Sequence, residues 1–525
     1  MKRKKLWSCI ILSIFLLLAI GCVLDSSGFF SSYLSKYEES KLKEELKSIN
    51  TVKTENTKPA SSPSALQKPD TNTGASANPS TSKSDKFAED KDVSEINLLS
   101  SQSIVSVIQS DKKNAQDLTY EDIRIMVRDA VSLAGGFKDI IKDGQVVVLK
   151  PNLVQIHSDI TGKRFVREVN GITTDWRVAK AVAELVREYN PTGKVYIMEG
   201  SAGDRTREAY EYLNYTHEMI SGIDGFIALE ESSGAWQEFA SPYLVRVDLP
   251  SGLLHKSYYL NKLYKEADIL ISIPCLKNNS GTVVTGGIKN VSIGATPANI
   301  YGLSPKSLSR TAMVSHSFSK SDLHRWIHDY YLCKPVDFVI MDGLQGFQNG
   351  PAPYKRDSEV NDIMNMRLII AGKDAVAVDT VEALVTGWDP LSAKYLRYLN
   401  ASSMGNIDTK KITVLGKYVD VVRKFFKTKY KNSGGSAIKD TTPPDMEIKK
   451  FSVLDNKLCL EIFTGRESIK SEVYIDDKLE AIITDYGQAS LNKDISMLDN
   501  GSHMLRIITY DRYLNHNEKN TSFIK

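Results

Sequence analysis

Short runs of consecutive apolar residues alternate with segments of helical periodicity through the middle of the chain. Val146–Leu149 and Ile269–Ile273 are nearly uninterrupted apolar runs of strand length, a pattern typical of strands buried on both faces of a parallel sheet. Tyr120–Leu133 and Trp176–Tyr189 carry apolar residues every three or four positions, which indicates amphipathic helices. The alternation predicts an α/β body with a mainly parallel sheet flanked by helices, over residues 95–431.

Further segments extend this pattern along the body. Strands are predicted at Ile104–Ile108, Val195–Met198, Val336–Met341 and Arg367–Ala371, and helices at Ser319–Leu332, Asp374–Thr386 and Tyr418–Tyr430. A less regular insertion at 221–260 favours a small antiparallel flap. Asp374 and either Thr174 or Asp175 directly precede helical patterns, so we expect them to be N-caps.

The pattern changes after residues 432–445, a short Gly- and Pro-rich linker. Residues 446–525 read as short alternating strands separated by turn signals, which predicts an all-β sandwich of the immunoglobulin type. The phrases TTPPD (441–445), VYIDDK (473–478) and GSHMLRIITYDRYLNHN (501–517) resemble bacterial surface immunoglobulin-like modules. That resemblance implies a spacer, or a module that contacts cell-wall material.

The first residues predict where the chain resides. Basic residues in the stub 1–5 precede the uncharged segment 6–24, which is about the length that crosses a ~30 Å hydrocarbon core. Because basic residues stay on the cytoplasmic side, we expect a single-pass protein of the cell membrane with an extracytoplasmic body. Ala19-Ile20-Gly21-Cys22 leaves a lipoprotein attached through Cys22 as an alternative, and a secreted form lacks a clear cleavage site.

Residues 25–94 are predicted to form a stalk and a linker. Most of this stretch is Ser, Thr, Pro, Lys and Asn with few large apolar residues. Such a composition cannot bury enough surface to offset the entropy of ordering. We therefore expect a spacer between membrane and body.

Composition and charge exclude some classes of partner and cofactor. Lys and Arg total 67 against 64 Asp and Glu, a net charge of +3, so nothing favours nucleic acid as a partner. The five cysteines contain no C-x-x-C pair, and no iron–sulfur cluster is expected. Cys275 and Cys333 could form a disulfide or remain two buried thiols.

Polar residues follow the predicted strands at their carboxyl ends. These are Lys150 and Asn152, Glu199 and Ser201, Lys277 and Asn279, Asp342, and Lys373 and Asp374. Loops at the carboxyl ends of neighbouring parallel strands converge on one crevice. Several lysines beside Gly-rich turns favour an anionic ligand, since ammonium groups and free N–H groups at helix starts attract negative charge.

The candidate site residues follow from this convergence. The candidate catalytic residues are Glu199 and Asp342, and the candidate ligand-binding residues are Lys150, Asn152, Thr173, Ser201, Lys277, Asn279, Gly286, Gly287, Lys289 and Asn290. The two carboxylates could transfer protons, bind a metal of unknown identity, or simply pair with the lysines. No nucleotide-binding or hydrolase motif is readable, and His157 and His316 are isolated histidines.

Five phrases of the body resemble a prokaryotic family, domain of unknown function 362. They are VVVLKPNLV (146–154), ITTDWRVAKAV (172–182), ADILISIPCLKNN with TGGIKN (267–290), DFVIMDG with NGP (337–351) and AGKDAVAVDTV (371–381). Relatives often carry a ferredoxin-like domain, and this sequence lacks its cysteine pattern. They also often have His where Asn279 stands, which puts any role of an imidazole there in doubt.

A fainter similarity links the body to the lactate racemase superfamily. Lys289, in the phrase GGIK, matches the lysine that holds the nickel-pincer cofactor of that superfamily. The nickel-ligating histidine has no obvious counterpart, because His316 lies farther along the chain.

Three functional hypotheses remain at this point. The body could be an enzyme acting on a small anionic organic ligand, a ligand-sensing or envelope-binding module without chemistry, or a purely structural surface protein. The identity of any cofactor is left open.

Overall fold

A computed structural model describes residues 102–158, 161–302, 304, 320–353, 361–428 and 435–525. The apolar segment 6–24, the linker 25–94 and His316 lie outside these residues. Among the described helices, none combines the length and apolarity needed to span a bilayer.

The body is built on one large sheet. Its strands are β1 (Ser103–Gln109), β2 (Val146–Pro151), β3 (Lys194–Glu199), β4 (Gly225–Ala228), β7 (Ile269–Ile273), β8 (Cys275–Asn279), β9 (Val283–Val284), β10 (Phe338–Phe347), β11 (Ile363–Gly372) and β12 (Ile412–Gly416). The main order is β12-β1-β11-β10-β7-β2-β3-β4, with β8 beside β10 and β9 beside β8. The predicted flap is the antiparallel pair β5 (Leu244–Asp248) and β6 (Ser257–Asn261).

The sheet is mixed, so the prediction of a mainly parallel sheet needs correction at two strands, β11 and the short β9, which is antiparallel to β8. From β10 through β7, β2 and β3 to β4 all neighbours are parallel, whereas β11 is antiparallel to both β10 and β1. A parallel neighbour requires a crossover, usually helical. The stretch 348–362, which contains Asn349-Gly350-Pro351, has no helical apolar pattern, and the chain returns antiparallel.

Helices cover both faces of the sheet. They are α1 (Tyr120–Leu133), α2 (Trp176–Tyr189), α3 (Thr206–Tyr212), α4 (Lys262–Glu266), α5 (Gly286–Gly294), α6 (Ala298–Tyr301), α7 (Lys320–Cys333), α8 (Ala375–Val385), α9 (Lys394–Ala401) and α10 (Val419–Val422). Because side chains alternate across a strand, Val147 and Leu149 pack with α1, α2 and α3, while Val148 packs with α5, α7 and α8.

Helix starts and ends follow the capping chemistry of the sequence. The N-cap of α2 is Asp175, whose side chain accepts from the Arg177 N–H, and the N-cap of α8 is Asp374, which accepts from the Ala377 N–H. Both N-cap predictions are confirmed. The bounds of α1 and α2 are also those that the apolar periodicity predicted.

The predicted helix Tyr418–Tyr430 is confirmed only over Val419–Val422. Helix α10 ends at Val422, and 423–428 are not helical. The Lys424 N–H donates to the Val385 carbonyl and the Phe426 N–H to the Thr386 carbonyl. These bonds satisfy carbonyl groups that would otherwise be unpaired at the end of α8, so the segment runs along α8 instead of coiling.

The C-terminal region forms two antiparallel sheets. One contains β13 (Met446–Leu454), β14 (Lys457–Thr464) and β17 (Gly487–Asp494), and the other β15 (Ser468–Ile475), β16 (Lys478–Ile483), β18 (Ser502–Asp511) and β19 (His516–Ile524). The second sheet contacts β12 directly. The buried Lys470 Nζ donates to the Ile412 carbonyl at 2.5 Å, and Thr413 Oγ1 donates to Glu472 Oε1 at 3.1 Å.

Cys275 and Cys333 are buried free thiols. The disulfide that the sequence left open is therefore not formed. Burial raises the pKa of the Cys275 thiol to about 12, so this thiol is unreactive at neutral pH.

Candidate functional site

A buried ion pair joins the ends of β2 and β3. The Lys150 side chain is fully buried, and its Nζ donates to Glu199 Oε1 at 2.9 Å and to the Pro151 carbonyl at 2.8 Å. The Glu199 carboxylate also accepts the N–H groups of Leu153 and Gly200 at 2.9 and 2.8 Å. These three donors fix the Glu199 carboxylate in one orientation.

Asparagine side chains connect this pair to a second buried lysine. Asn290 on α5 donates to the Lys150 carbonyl at 2.9 Å and accepts from Asn152 Nδ2 at 3.0 Å. The Lys277 Nζ donates to Asn152 Oδ1 at 2.8 Å and to the Ile172 carbonyl at 2.6 Å. Residues from β2, β8 and α5 therefore meet at one place, as the sequence predicted for Lys150, Asn152, Lys277 and Asn290.

Glycines let α5 approach this network. A Cβ on Gly294 would lie 2.8 Å from Lys150 Nζ, and one on Gly287 would lie 2.7 Å from Val339 Cγ2. Gly286 has a φ of +62°, and a Cβ there would collide with the Asp379 carboxylate. Gly286 and Gly287 thus serve close packing in this structure.

The start of α5 is occupied by a protein carboxylate. Asp379 on α8 accepts the Gly287 N–H at 2.7 Å, the Ile288 N–H at 3.3 Å and the Tyr395 hydroxyl at 3.0 Å. Burial raises the pKa of Asp379 to about 7. The expectation that free N–H groups here attract a ligand is therefore wrong, because Asp379 already uses them.

Lys289 differs from the other two lysines in having no hydrogen-bond partner within the part of the chain that the structure describes. Its side chain is 7% exposed, and it makes no hydrogen bond or ion pair with any residue in the described ranges. Lys289 lines a cavity of about 50 Å³ together with Asn152, Val154, Glu199, Gly200, Ala202, Thr285, Asn290, Ile293 and Gly294. One water needs roughly 10–15 Å³, so the cavity has room for a group larger than water.

Two further polar groups near Lys289 are buried without a partner among the described residues. They are Thr285 Oγ1, at the N-cap of α5 and in the lining of the same cavity, and Glu382 Oε2. The other oxygen of Glu382 accepts the Lys277 N–H at 3.4 Å. Buried polar atoms are normally hydrogen-bonded, so these atoms mark a place where a partner fits.

Burial dominates the electrostatics of the cluster. It lowers the pKa of Lys289 to about 7, with the Lys277 charge adding to the effect, and it also lowers the pKa of Lys277. Burial, reinforced by Asp379, raises the pKa of Glu382 well above its ordinary value. An anion bound beside them would raise the pKa of both lysines.

Several predicted site residues lie elsewhere or serve turns. Asp342 accepts the N–H groups of Asp175 and Leu344 at 2.8 and 3.0 Å, and burial raises its pKa to about 7. It supports the start of α2, on the face of the sheet opposite α5.

The remaining predicted residues make local bonds. Thr173 accepts from Asn170 Nδ2 at 2.8 Å, Ser201 donates to the Val154 carbonyl at 2.9 Å, and Asn279 accepts the Gly281 N–H at 2.9 Å. Lys373 and Asp374 lie at the opposite edge of the sheet, because β11 runs antiparallel.

A Ser–His–Asp arrangement occurs away from the cavity. His328 Nε2 lies 2.9 Å from Ser402 Oγ, and its Nδ1 lies 2.7 Å from Asp329 Oδ1. The N–H groups of Ser402 and of the next two residues bond carbonyls of α9, so they are not free to stabilise an oxyanion. Asp329 also accepts the N–H groups of Leu253 and Leu254 at 2.7 Å each, which indicates a structural role.

The described residues offer no metal centre. No three His, Cys, Asp or Glu side chains within them are grouped to hold a metal ion. Lys289 has no histidine among the residues that line its cavity, so the described residues do not fit the nickel cofactor suggested by the lactate racemase resemblance.

The fold and this cluster define an α/β domain with lysines and carboxylates buried at the carboxyl ends of its parallel strands. Residues 147–383 match the family described as "Domain of unknown function (DUF362)", which supports the resemblance seen in the sequence. The match spans every residue of the lysine cluster. It does not extend to the C-terminal sheets.

A curated relative is the "Thylakoid-associated protein sll1697" of Synechocystis sp. (strain ATCC 27184 / PCC 6803 / Kazusa). It is 25% identical over 265 residues, which cover 50% of this chain and 70% of the relative.

Two solved structures show only weak similarity. Wild-type OgpA from Akkermansia muciniphila gives a TM-score of 0.14 at 14% identity, over 16% of this chain and 28% of that chain. The FMN-binding beta-glucuronidase from "Facaelibacterium prausnitzii" L2-6 gives 0.16 at 8% identity, over 78% and 53%. At these TM-scores neither structure informs the fold or the site.

Proposed function

We propose that the α/β body binds a small anionic organic ligand in the cavity beside Lys289. The observation that carries this proposal is the buried Lys289 amino group, which lines a cavity and lacks a partner in the described part of the chain. Three lysines approach one another here, and among the described residues only Lys150 has an ion-pair partner within hydrogen-bond distance.

The charge balance of the cluster favours an anion. Glu199 neutralises Lys150 at 2.9 Å, whereas burial raises the pKa of both Asp379 and Glu382 and so favours their neutral forms. Lys277 and Lys289 are then left without a full counter-charge, and their pKa values fall. A carboxylate or phosphate group would supply the missing charge, and the Thr285 hydroxyl would supply one hydrogen bond.

Ligand-induced stabilisation tests the proposal. Oxalate and inorganic phosphate are added separately to the full-length chain at about pH 6, where a Lys289 with a pKa of about 7 is charged, and Tm is measured. At least one anion should raise Tm in a saturable manner. Lys289→Met should abolish the rise, and the exposed control Lys138→Met should retain it. No rise with either anion, or an equal rise in the Lys289 variant, would refute the proposal.

We also propose that the chain is tethered to the cell membrane through residues 6–24, with the body outside the cytoplasm. The basic stub, the apolar length of this segment and the name of the thylakoid-associated relative support the tether. Protease added to intact cells should digest the C-terminal region, and its protection would contradict this orientation. Release from the membrane fraction by Cys22→Ser would indicate the lipoprotein alternative.

We propose further that residues 446–525 are an immunoglobulin-like module that contacts cell-wall material. Two antiparallel sheets over a shared apolar core support this assignment. Purified cell wall should sediment the full-length chain, and a chain truncated after residue 431 should remain in solution. Equal sedimentation of both chains would refute a wall-binding role.

The alternative to an enzyme is a non-catalytic sensor. The contact between β15 and β12 favours the sensor, because it connects the ligand-binding body to the C-terminal sheets. A turnover screen with small carboxylates separates the two: consumption of a carboxylate supports an enzyme, and ligand stabilisation without turnover supports the sensor.

A further inference from the structure

We infer that Lys289 forms an imine with a carbonyl carbon of its ligand, so that the ligand is a small carboxylate bearing an aldehyde or ketone. This inference rests on the proposed function, because it assigns a chemical class to the ligand of the same cavity. The neighbouring lysines favour a carboxylate, and an amino group without a partner among the described residues favours a carbonyl.

The three lysines of the cluster are not equivalent, and this difference points to Lys289. The Lys150 Nζ donates to Glu199 and to a backbone carbonyl, and the Lys277 Nζ donates to Asn152 and to the Ile172 carbonyl. Those bonds hold both ammonium groups in place. Lys289 has no such bond to the described residues and lines the cavity, so its nitrogen is the one available to a bound molecule.

The surroundings also supply the amine in reactive form. Only a neutral amine carries the lone pair that attacks carbon. Because burial and the Lys277 charge lower the pKa of Lys289 to about 7, about half of this side chain is neutral at that pH. Desolvation next to another cationic group is an established way to activate a lysine.

The proposed proton donor for the loss of water is Glu382. Its Oε2 is buried without a hydrogen bond among the described residues, and the carboxyl lies close enough to Lys277 and Lys289 to influence their pKa values. Burial raises the pKa of its carboxyl well above the ordinary value, which favours the protonated form that donates a proton.

The reaction balances without an oxidant or reductant. The neutral Lys289 nitrogen attacks the carbonyl carbon, so a C–N bond forms as the C=O π bond breaks. The proton that the nitrogen then releases passes to the oxygen and gives a carbinolamine. Protonation of that hydroxyl by Glu382 breaks the C–O bond and releases water. The nitrogen lone pair forms the C=N bond, and the protonated imine retains a positive charge beside the carboxylate.

Reductive trapping tests this inference. Glyoxylate, which combines a carboxylate with an aldehyde, is incubated with the full-length chain and sodium cyanoborohydride at about pH 7, the pKa of Lys289. The intact mass should rise by the mass of the acid less one oxygen atom, and peptide mapping should place the adduct on Lys289. Lys289→Arg should lose the adduct, and oxalate, which has no aldehyde, should suppress it in the unmodified chain.

The outcomes separate this inference from the proposed function. Stabilisation by oxalate or phosphate through Lys289 without a trapped adduct there would overturn the imine and leave anion binding intact. Neither stabilisation nor an adduct would overturn both. An adduct on Lys277, Lys150 or exposed lysines such as Lys138 alone would also overturn the imine, and this result does not depend on whether the arginine variant folds.

Discussion

Removal of the carboxylate at Glu199 should destabilise the body strongly. The Lys150 side chain is 0% exposed, and it donates to Glu199 Oε1 at 2.9 Å. Breaking a buried pair by removing one partner costs about 3–5 kcal/mol, because the other charge stays buried and uncompensated. Glu199→Ala also leaves the Leu153 and Gly200 N–H groups without their acceptor, so we expect the upper part of that range.

Urea denaturation of matched variants measures this cost. Glu188→Ala is the control, because Glu188 pairs with Arg128 on the exposed faces of α2 and α1, and exposed pairs contribute about 0.2–1 kcal/mol. The double variant Glu199→Ala/Lys150→Met should recover part of the lost free energy of unfolding, because the buried Lys150 charge without a partner is then removed. A loss from Glu199→Ala no larger than that of the control would refute the buried ion pair.

Three further predictions concern pH and packing. Because burial lowers the folded pKa of Lys289 from 10.5 to about 7, the unfolded chain binds more protons between these values. The free energy of unfolding should therefore rise with pH across that window, and it should rise more than in Lys289→Met. Oxalate affinity, measured by calorimetry, should fall as pH rises through 7. Slopes of the opposite sign would contradict the pKa assigned to Lys289. Gly294→Ala places a Cβ 2.8 Å from Lys150 Nζ. Because this contact is too close, the substitution should lower Tm and weaken oxalate binding. Unchanged values would show that α5 can shift to accommodate the methyl group. Glu472→Ala leaves the buried Lys470 without its ion-pair partner. The free energy of unfolding, measured by urea denaturation, should fall by about 3–5 kcal/mol. A fall of less than about 1 kcal/mol would mean that the contact with β12 is weak.

Local signals in the sequence predicted much of the body. Helices α1 and α2 followed from apolar periodicity, and the caps of α2 and α8 followed from aspartates placed just before it. Strand β11 was predicted as a strand with the wrong direction, because direction depends on the connection and not on the strand itself. The end of α10 could not be predicted, since 423–428 are held by carbonyl groups of α8, a partner distant in sequence.

The site was predicted in part for a similar reason. Lys150, Asn152, Lys277 and Asn290 come together because parallel strands share an edge. The sequence predicts Asp342 in the same crevice. Side chains alternate between the two faces of the sheet along β10, however, and Asp342 lies on the same face as Phe338 and Ile340, which pack with α2.

Glu382 and Thr285 were missed as members of the cluster. Glu382 had a readable signal: it lies three residues after Asp379 within the otherwise apolar helix α8. Two carboxylates on one face of a buried helix require partners, and the search for those partners leads to α5 and Lys277.

Anomalous diffraction from a crystal soaked in selenate at about pH 6 tests the central claim most directly, because it locates an anion without assuming its identity. We predict a peak in the cavity, with a selenate oxygen about 3 Å from the Lys289 Nζ, and its loss in Lys289→Met. Peaks confined to surface lysines such as Lys138, with the cavity beside Lys289 unoccupied, would contradict the claim that this cluster binds an anion.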